Sequence, residues 1–420
     1  MLQHGELGIH PPGALGVAFF VHAGAQCFVG RGGDGITEPL KQAGELKLMD
    51  GGRLRRVSLK DRILANLLEA HALERMPELL FVCCNPDQLH LFTSDLTRYL
   101  ENLAGRDRLR SLEDIQRYIP ILLVLPNGIL SEQTVSTYQE QLNESLLMER
   151  LPGVNEEMAE ALSNRVVRGI SLQAGGRRGS GTDAVYLLER KGSLVFAGGG
   201  ETERRRIETI LEAHRYPFKH VEGVPGTRIE FDKAMITIVL NVCGLIHTVK
   251  PDGDLIDLRM GDLCKDPSKA DFVEEVTRAV FETGRAAKAY PETADYEVIW
   301  AGHRETILAN AGHVTSSLKM FRDALASGLN SVKLFSNEEW ILTPLERYAA
   351  NAGLNREQEL FRSLRRRVQN SMARAIRHRD AQAKTTVCGN GKMRLTAQRN
   401  IGIELFDAGP DDMVLVGTML

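Results

Sequence analysis

The 420-residue sequence is short of cysteine, has no excess of either charge and contains no long apolar run. Its six cysteines (Cys27, Cys83, Cys84, Cys243, Cys264 and Cys388) include no C-x-x-C spacing. That argues against a disulfide framework and a zinc knuckle, and for a reducing compartment. Lys plus Arg number 52 against 55 Asp plus Glu. No whole-molecule field therefore draws nucleic acid or an anionic membrane, and such a partner would need a local patch. The most apolar stretch beyond the N-terminal region, Ile236 to Val249, holds Asn241 and falls short of the roughly 20 residues that span a bilayer. Residues 14–30 begin apolar, but no Lys or Arg precedes them and Gly24, Gln26 and Gly30 interrupt. A signal peptide is not expected, and the expected location is the cytoplasm. A strand as close to Met1 as Leu7 raises the question of whether Met1 is the native start.

Charged residues at 25% and hydrophobic ones at 43% are those of an ordinary folded chain. The length suits two or three domains. Leu7–His10, then Val17–Ala23, then Gln26–Val29 read as strand, helix, strand, a βαβ unit. Lys47–Val57 reads as a hairpin around Asp50-Gly51-Gly52. Ile63–Met76 shows helical spacing, and Leu79–Cys84 and Pro120–Leu125 are continuous apolar runs typical of buried parallel strands. A helix is expected from Asp87 and another over Ser131–Leu146. Together these predict an open, mostly parallel sheet covered on both faces. Short strands at Val166–Gln173, Val185–Glu189, Ser193–Ala197 and Phe218–Val221, with a helix near Glu203–Ala213, read as the same sheet turning antiparallel. Long helices follow at Phe231–Ile246, Lys269–Arg285, Tyr296–Ala309 and His313–Ala326. Residues 356–399 carry twelve Lys and Arg against three acids. Leu360, Leu364, Val368, Met372 and Ile376 recur there every fourth residue, an amphipathic helix whose apolar stripe is expected to pack on the helical domain.

The turn after the first strand carries the first chemical signal. A strand feeding a glycine-rich turn into a helix aims backbone N–H groups and the positive end of the helix dipole at one point, which suits a dinucleotide pyrophosphate. In Pro11-Pro12-Gly13-Ala14-Leu15-Gly16, Gly13 and Gly16 hold the second and third glycine positions of G-x-G-x-x-G, and Pro11 replaces the first. A plain strand-to-helix turn is the competing reading. Arg31, just past the second strand, stands where a base suits the extra phosphate of NADP, with Asp34 close by.

Leu7–Arg31, Leu80–Cys84 followed by a polar residue, Leu125-Pro126-Asn127-Gly128, Phe231-Asp232-Lys233 with Asn241, and His313-Val314-Thr315-Ser316-Ser317 occur in the order found in ketopantoate reductases. Over about residues 5–345 the chain resembles that family. The resemblance implies an α/β N-terminal Rossmann-like domain and an all-α C-terminal domain like that of 6-phosphogluconate dehydrogenase. The boundaries read as 1–225, 226–345 and a basic extension over 346–420. It implies NADPH-dependent reduction of a 2-oxo acid. Cofactor would be held by Gly13, Ala14, Leu15, Gly16, Arg31 and Asn127. Hydride addition builds negative charge on the ketone oxygen, which needs a donor and finally a proton. The resemblance gives that role to Lys233, a hydrogen bond to the substrate to Asn241, and a carboxylate contact to Ser317. It also implies a lysine where Asn85 stands, an asparagine where Thr237 stands, and a substrate-aligning glutamate in the zone where Gly328–Lys333 offers none, Glu338 or Glu339 requiring a sizeable shift. These departures point to a 2-oxo acid other than ketopantoate, or to a non-catalytic nucleotide-sensing or protein-binding module.

Other candidates read as structural. Gly198-Gly199-Gly200 before Arg204, Arg205 and Arg206 is better read as a connecting turn than as a phosphate site. Cys83 and Cys84 read as packed thiols, and His313 as a helix-start residue. The basic helix lacks aromatic interleaving apart from Phe361, so nucleic acid is not the expected partner. No metal site is expected. The expected partner is a small-molecule 2-oxo acid, not a membrane, with a homodimer left open.

Overall fold

The computed structural model describes residues 6–31, 35–130, 151, 153–171, 173, 175–188, 191–312 and 314–389. The chain divides into two compact units with the boundary between Glu230 and Phe231.

The first unit is built on an eight-stranded sheet of β1 (Leu7–His10), β2 (Cys27–Val29), β5 (Ile63–Leu64), β6 (Leu79–Val82), β7 (Ile121–Val124), β8 (Val166–Ser171), β11 (Leu194–Ala197) and β12 (Phe218–His220). Their order is β12-β11-β8-β7-β6-β1-β2-β5. From β5 through β8 every pairing is parallel, and only β8 and β11 run antiparallel. Strands β1, β6 and β7 are buried at every position, as helices on both faces of a parallel sheet require. The order reverses between β1 and β6, which makes the carboxyl ends of these two strands the switch point where ligands of such sheets bind.

A second sheet has the order β4-β3-β10-β9, from β3 (Glu45–Asp50), β4 (Arg53–Ser58), β9 (Gly175–Arg178) and β10 (Val185–Leu188). The hairpin expected at Lys47–Val57 is β3 and β4. The strand expected at Val185–Glu189 does not extend the main sheet, because β10 pairs in parallel with β3 instead, Val185 opposite Lys47. Helix α1 (Ala14–His22) contacts β1 as well as β9 and β10. That explains why Ala14 through Phe20 are all buried, and why the helix is apolar all round.

The other helices of this unit are α2 (Thr37–Ala43), α3 (Leu67–Ala72), α4 (Leu89–Gly105), α5 (Leu112–Tyr118), α6 (Glu156–Asn164) and α7 (Glu201–Ala213). The helix read over Ile63–Met76 is shorter than expected. Ile63 and Leu64 pair with Phe28 and Val29, and Asn66 caps α3 by accepting from the Glu69 N–H at 2.9 Å. The helix expected over Ser131–Leu146 lies outside the described residues.

Helix α8 (Gly226–Thr237) carries the chain across the unit boundary. In the second unit it continues as a π-helical segment, Ile238–Cys243, and then as α9 (Gly244–Thr248). The remaining helices are α10 (Asp262–Lys265), α11 (Pro267–Ala286), α12 (Tyr296–Ala309), α13 (Ser316–Ala326), α14 (Ser336–Asn351) and α15 (Asn355–Gly389). The basic helix α15 packs against α9, α11, α14 and the π-helical segment. Its buried side chains are Phe361, Leu364, Val368, Ser371, Met372 and Ala375, so the stripe follows alternating three- and four-residue steps. A strict four-residue ladder drifts by about 40° per step, which is why Leu360 and Ile376 fall to its edges.

Candidate functional site

At the switch point, helix α1 opens on Gly13 (φ −72°, ψ −177°) with no side-chain cap on its first turn. The two glycines differ in what they permit. A Cβ at Gly16 would stand 2.3 Å from the Pro11 carbonyl oxygen and 2.9 Å from Ile9 Cγ2, so glycine here allows α1 to lie against β1. A Cβ at Gly13 would meet nothing within 4 Å. Protein packing therefore does not demand glycine at 13, and the backbone there is open to close approach. Ala14 and Leu15 follow in the first helical turn and are buried. Pro11, in place of the first glycine, follows a cis peptide bond with His10. Tyr186 of β10 donates from its hydroxyl to the Pro12 carbonyl at 3.3 Å.

Sequence reasoning missed His10. It is 2% exposed, its Nδ1 lies 2.9 Å from the Val29 carbonyl oxygen, and its ring is 4.6 Å from that of Phe92. It ties together the carboxyl ends of β1 and β2, from which the glycine turn and Arg31 emerge. Arg31 is partly buried just beyond β2. Burial pushes the Asp95 carboxyl on α4 upward while Arg98 and Arg31 pull it the other way, so the guanidinium of Arg31 sits in the field of an acid. Asp34 lies outside the described residues. At Asn85 the backbone N–H donates to Gln88 Oε1 at 3.3 Å, closing a short turn ahead of α4. Asn127 follows β7 and is partly buried.

In the second unit, Lys233 lies on α8 and Asn241 in the π-helical segment. Eight residues of regular α-helix would leave the two about 80° apart around the axis; the wider π turn, below ~90° per residue, reduces that to about 30°. Ideal helix geometry therefore sets the lysine and the asparagine close to one face. Asp232 accepts from Tyr290 Oη at 3.0 Å, and His303 Nε2 lies 3.3 Å from the same oxygen, which fixes the rotation of α8. Thr237 donates its hydroxyl to the Lys233 carbonyl at 2.7 Å, so it is committed to its own helix.

Ser317, in the first turn of α13, and Glu338, in the first turn of α14, are both 0% exposed. Helices α13 and α14 each pack against the π-helical segment. Burial pushes the Glu338 carboxyl up to about 7, against the opposing pull of the adjacent Ser317 hydroxyl. Among the described residues, neither Ser317 Oγ nor either Glu338 oxygen has a partner in hydrogen-bonding geometry. A carboxylate does stand beside the serine, then, but 21 residues along the chain and not within Gly328–Lys333.

Other sequence candidates have structural explanations. A Cβ at Gly200 would collide with Glu203 Oε2, so a carboxylate already lies over the N-terminus of α7. Arg204 donates to the carbonyls of Gly198 at 3.3 Å and Gly199 at 2.5 Å, Arg205 to Glu201, and Arg206 to Glu78. Cys83 is a buried thiol whose pKa burial raises further. On α15, Arg365 binds Glu339 and Glu346 at 2.6 and 2.8 Å. Arg379 donates to the carbonyls of Leu325 and Leu329, and Arg367 lies 4.1 Å over the Phe272 ring. These contacts leave less free charge than the composition suggested for a nucleic-acid partner. His313 lies outside the described residues. No cluster of potential metal ligands occurs among the described residues, and no helix among them is long and apolar enough to cross a membrane.

The first unit is a Rossmann-like α/β fold and the second is helical, a combination found in 2-oxo acid reductases and related dehydrogenases. A D-mandelate dehydrogenase in complex with NADH and anilino(oxo)acetate is similar at 16% identity and TM-score 0.55, over 88% of this chain and 99% of that one. A "probable 2-dehydropantoate 2-reductase" of Bacillus subtilis is similar at 15% identity and TM-score 0.55, over 86% and 99%. A ketopantoate reductase of Ralstonia eutropha is similar at 14% identity and TM-score 0.50, over 88% and 99%. At such identities the likeness shows the fold, and the resemblance read from the sequence extends to it. No family model and no curated protein matches the sequence.

Proposed function

We propose that the chain is a nicotinamide-dinucleotide-dependent reductase of a 2-oxo acid, with NADPH the preferred cofactor and Lys233 the acid. The observation that carries this reading is the Ser317–Glu338 pair. A buried carboxyl and hydroxyl without partners weaken the fold and are retained where a ligand completes them. They lie on helices packed against the segment that holds Asn241. The open backbone at Gly13 and the close approach at Gly16 fit a dinucleotide. Gly13, Ala14, Leu15 and Gly16 would hold its diphosphate, Arg31 the ribose end and Asn127 the ribose near the substrate. The cofactor, when bound, supplies the hydride.

The residues of this chain do the rest. The Lys233 ammonium donates a hydrogen bond to the ketone oxygen, stabilises the charge that builds there, and gives up its proton to leave a hydroxyl. Asn241, on the same helix face, orients the substrate, and Ser317 binds its carboxylate. Glu338, when protonated below about pH 7, can donate to a further oxygen of the substrate without repelling that carboxylate. Thr237, with its hydroxyl committed to the helix, offers no substitute for an asparagine amide, which favours a 2-oxo acid other than ketopantoate.

Fluorescence titration with NADPH and NADH, followed by NADPH oxidation with a panel of 2-oxo acids, tests the reading. Micromolar binding of NADPH with turnover of at least one member is expected. Binding of neither nucleotide would overturn it in favour of a non-catalytic module.

A further inference from the structure

Arg168 of β8 stands opposite Val124 in the register with β7 and is 8% exposed. Its guanidinium is distributed over the loop that bears Asn127. Nη1 donates to the carbonyls of Val124, at 2.6 Å, and Gly169; Nη2 donates to those of Pro126, at 2.7 Å, and Gly128, at 3.3 Å. Nε donates to Glu230 Oε1 at 2.5 Å, and that oxygen also accepts from the Leu130 N–H at 3.1 Å. The stem of Arg168 runs under the first turn of α8, where a Cβ at Gly226 would lie 2.8 Å from Arg168 Cβ. Gly226 and Glu230 are one turn apart on one helix face.

A buried ion pair of this kind gives little stability over a well-packed apolar pair, because desolvation offsets the attraction. What the planar fork does provide is geometry. One rigid group fixes the carbonyls at 124, 126 and 128, and so sets the direction in which the intervening residue 127 leaves the backbone. Through Glu230 the same group is joined to the helix that carries Lys233 three residues later.

We propose that Arg168 and Glu230 are a positioning pair that holds the backbone around Asn127 and ties that loop to the start of the Lys233 helix. The role rests on the reductase reading, in which Asn127 contacts cofactor ribose and substrate. The pair touches neither cofactor nor substrate itself and acts through Asn127.

The test uses the full chain with five variants: Arg168→Lys, Asn127→Ala, their combination, Glu230→Gln and Glu230→Ala. Arg168→Lys is expected to lower kcat with the best 2-oxo acid about 10- to 100-fold in the otherwise natural chain. In the Asn127→Ala background it should lower kcat by less than about threefold, because the group it positions is already gone. An equal loss in both backgrounds marks a merely structural role and overturns the proposal. Hydrogen exchange at residues 125–130 provides a readout independent of turnover. It should rise in Arg168→Lys and in Glu230→Ala while strands β1 and β6 stay protected. Glu230→Gln, which keeps an accepting oxygen, should restore most of the protection. Unchanged exchange at 125–130 in both Arg168→Lys and Glu230→Ala overturns the proposal. A natural chain that reduces no 2-oxo acid counts against the reductase reading, and exchange then decides the pair alone.

Discussion

Ser317 Oγ and the Glu338 carboxyl lie close to each other in the first turns of two helices, fully buried, and neither has a partner in hydrogen-bonding geometry among the described residues. Helix N-termini favour negative charge, yet burial prevails and carries the Glu338 carboxyl to about 7, from an ordinary value of 4.5. Below about pH 7 the arrangement places a carboxylic acid beside a hydroxyl.

That shift makes stability pH-dependent. Between the ordinary carboxyl value and about 7 the folded chain holds a proton that the unfolded chain has released. The contribution is full below the ordinary value and is lost as pH rises through about 7, amounting to about 3 kcal/mol. Urea unfolding at pH 4 and pH 8 should show Glu338→Gln close to the natural chain at pH 4 and more stable at pH 8. Equal pH dependence in the two would show that Glu338 is not held protonated.

The two glycines of the turn should respond differently to alanine. Gly16→Ala places a methyl against the Pro11 carbonyl and Ile9 and should destabilise the chain by about 1–3 kcal/mol. Gly13→Ala has open space and an ordinary φ, so stability should stay within about 0.5 kcal/mol. NADPH binding should nevertheless weaken at least tenfold or so, because the methyl stands where the diphosphate approaches. Thermal unfolding and fluorescence titration of both variants check the pair.

The Asp95 carboxyl lies in the field of Arg98 and Arg31. Asp95→Asn should raise the preference for NADPH over NADH by roughly 3- to 10-fold, more at low salt than at high. The ratio of the two dissociation constants at two ionic strengths measures this.

On the basic helix, Arg365 links Glu339, Glu346 and Thr343 from a partly buried position. Arg365→Ala should lower stability by about 1–2 kcal/mol. If the helix is a packing element of this unit, the same substitution leaves nucleotide binding unchanged, which a melt and a titration on one sample report.

The parallel sheet and the glycine turn were legible in the sequence because Leu79–Val82 and Ile121–Val124 are uninterrupted apolar runs and Gly13 and Gly16 lie at fingerprint spacing. The second sheet was not legible, since Lys47 and Val185 pair across 138 residues with no local signature. Nor was the π turn, which changes hydrogen-bond spacing inside an apolar run that has no proline or glycine between Ile238 and Cys243. Lys233, Asn241 and Ser317 stood out by residue type and order. Glu338 entered only as one of two carboxylates, with Glu339, that would need a sizeable shift along the chain, because distance in sequence says little about which first turns of neighbouring helices meet. His10 looked like the end of a strand, and Arg168 like a strand residue. Their contacts become visible only once the carbonyls around them are placed.

The central claim is that the amine at position 233 protonates a ketone as it is reduced. It is tested most directly by a single-turnover measurement of NADPH oxidation with the preferred 2-oxo acid, comparing the natural chain with Lys233→Ala at matched nucleotide occupancy. Oxidation should slow by about 10²- to 10⁴-fold in the variant while the NADPH dissociation constant stays the same. Equal oxidation rates in the two proteins would contradict it.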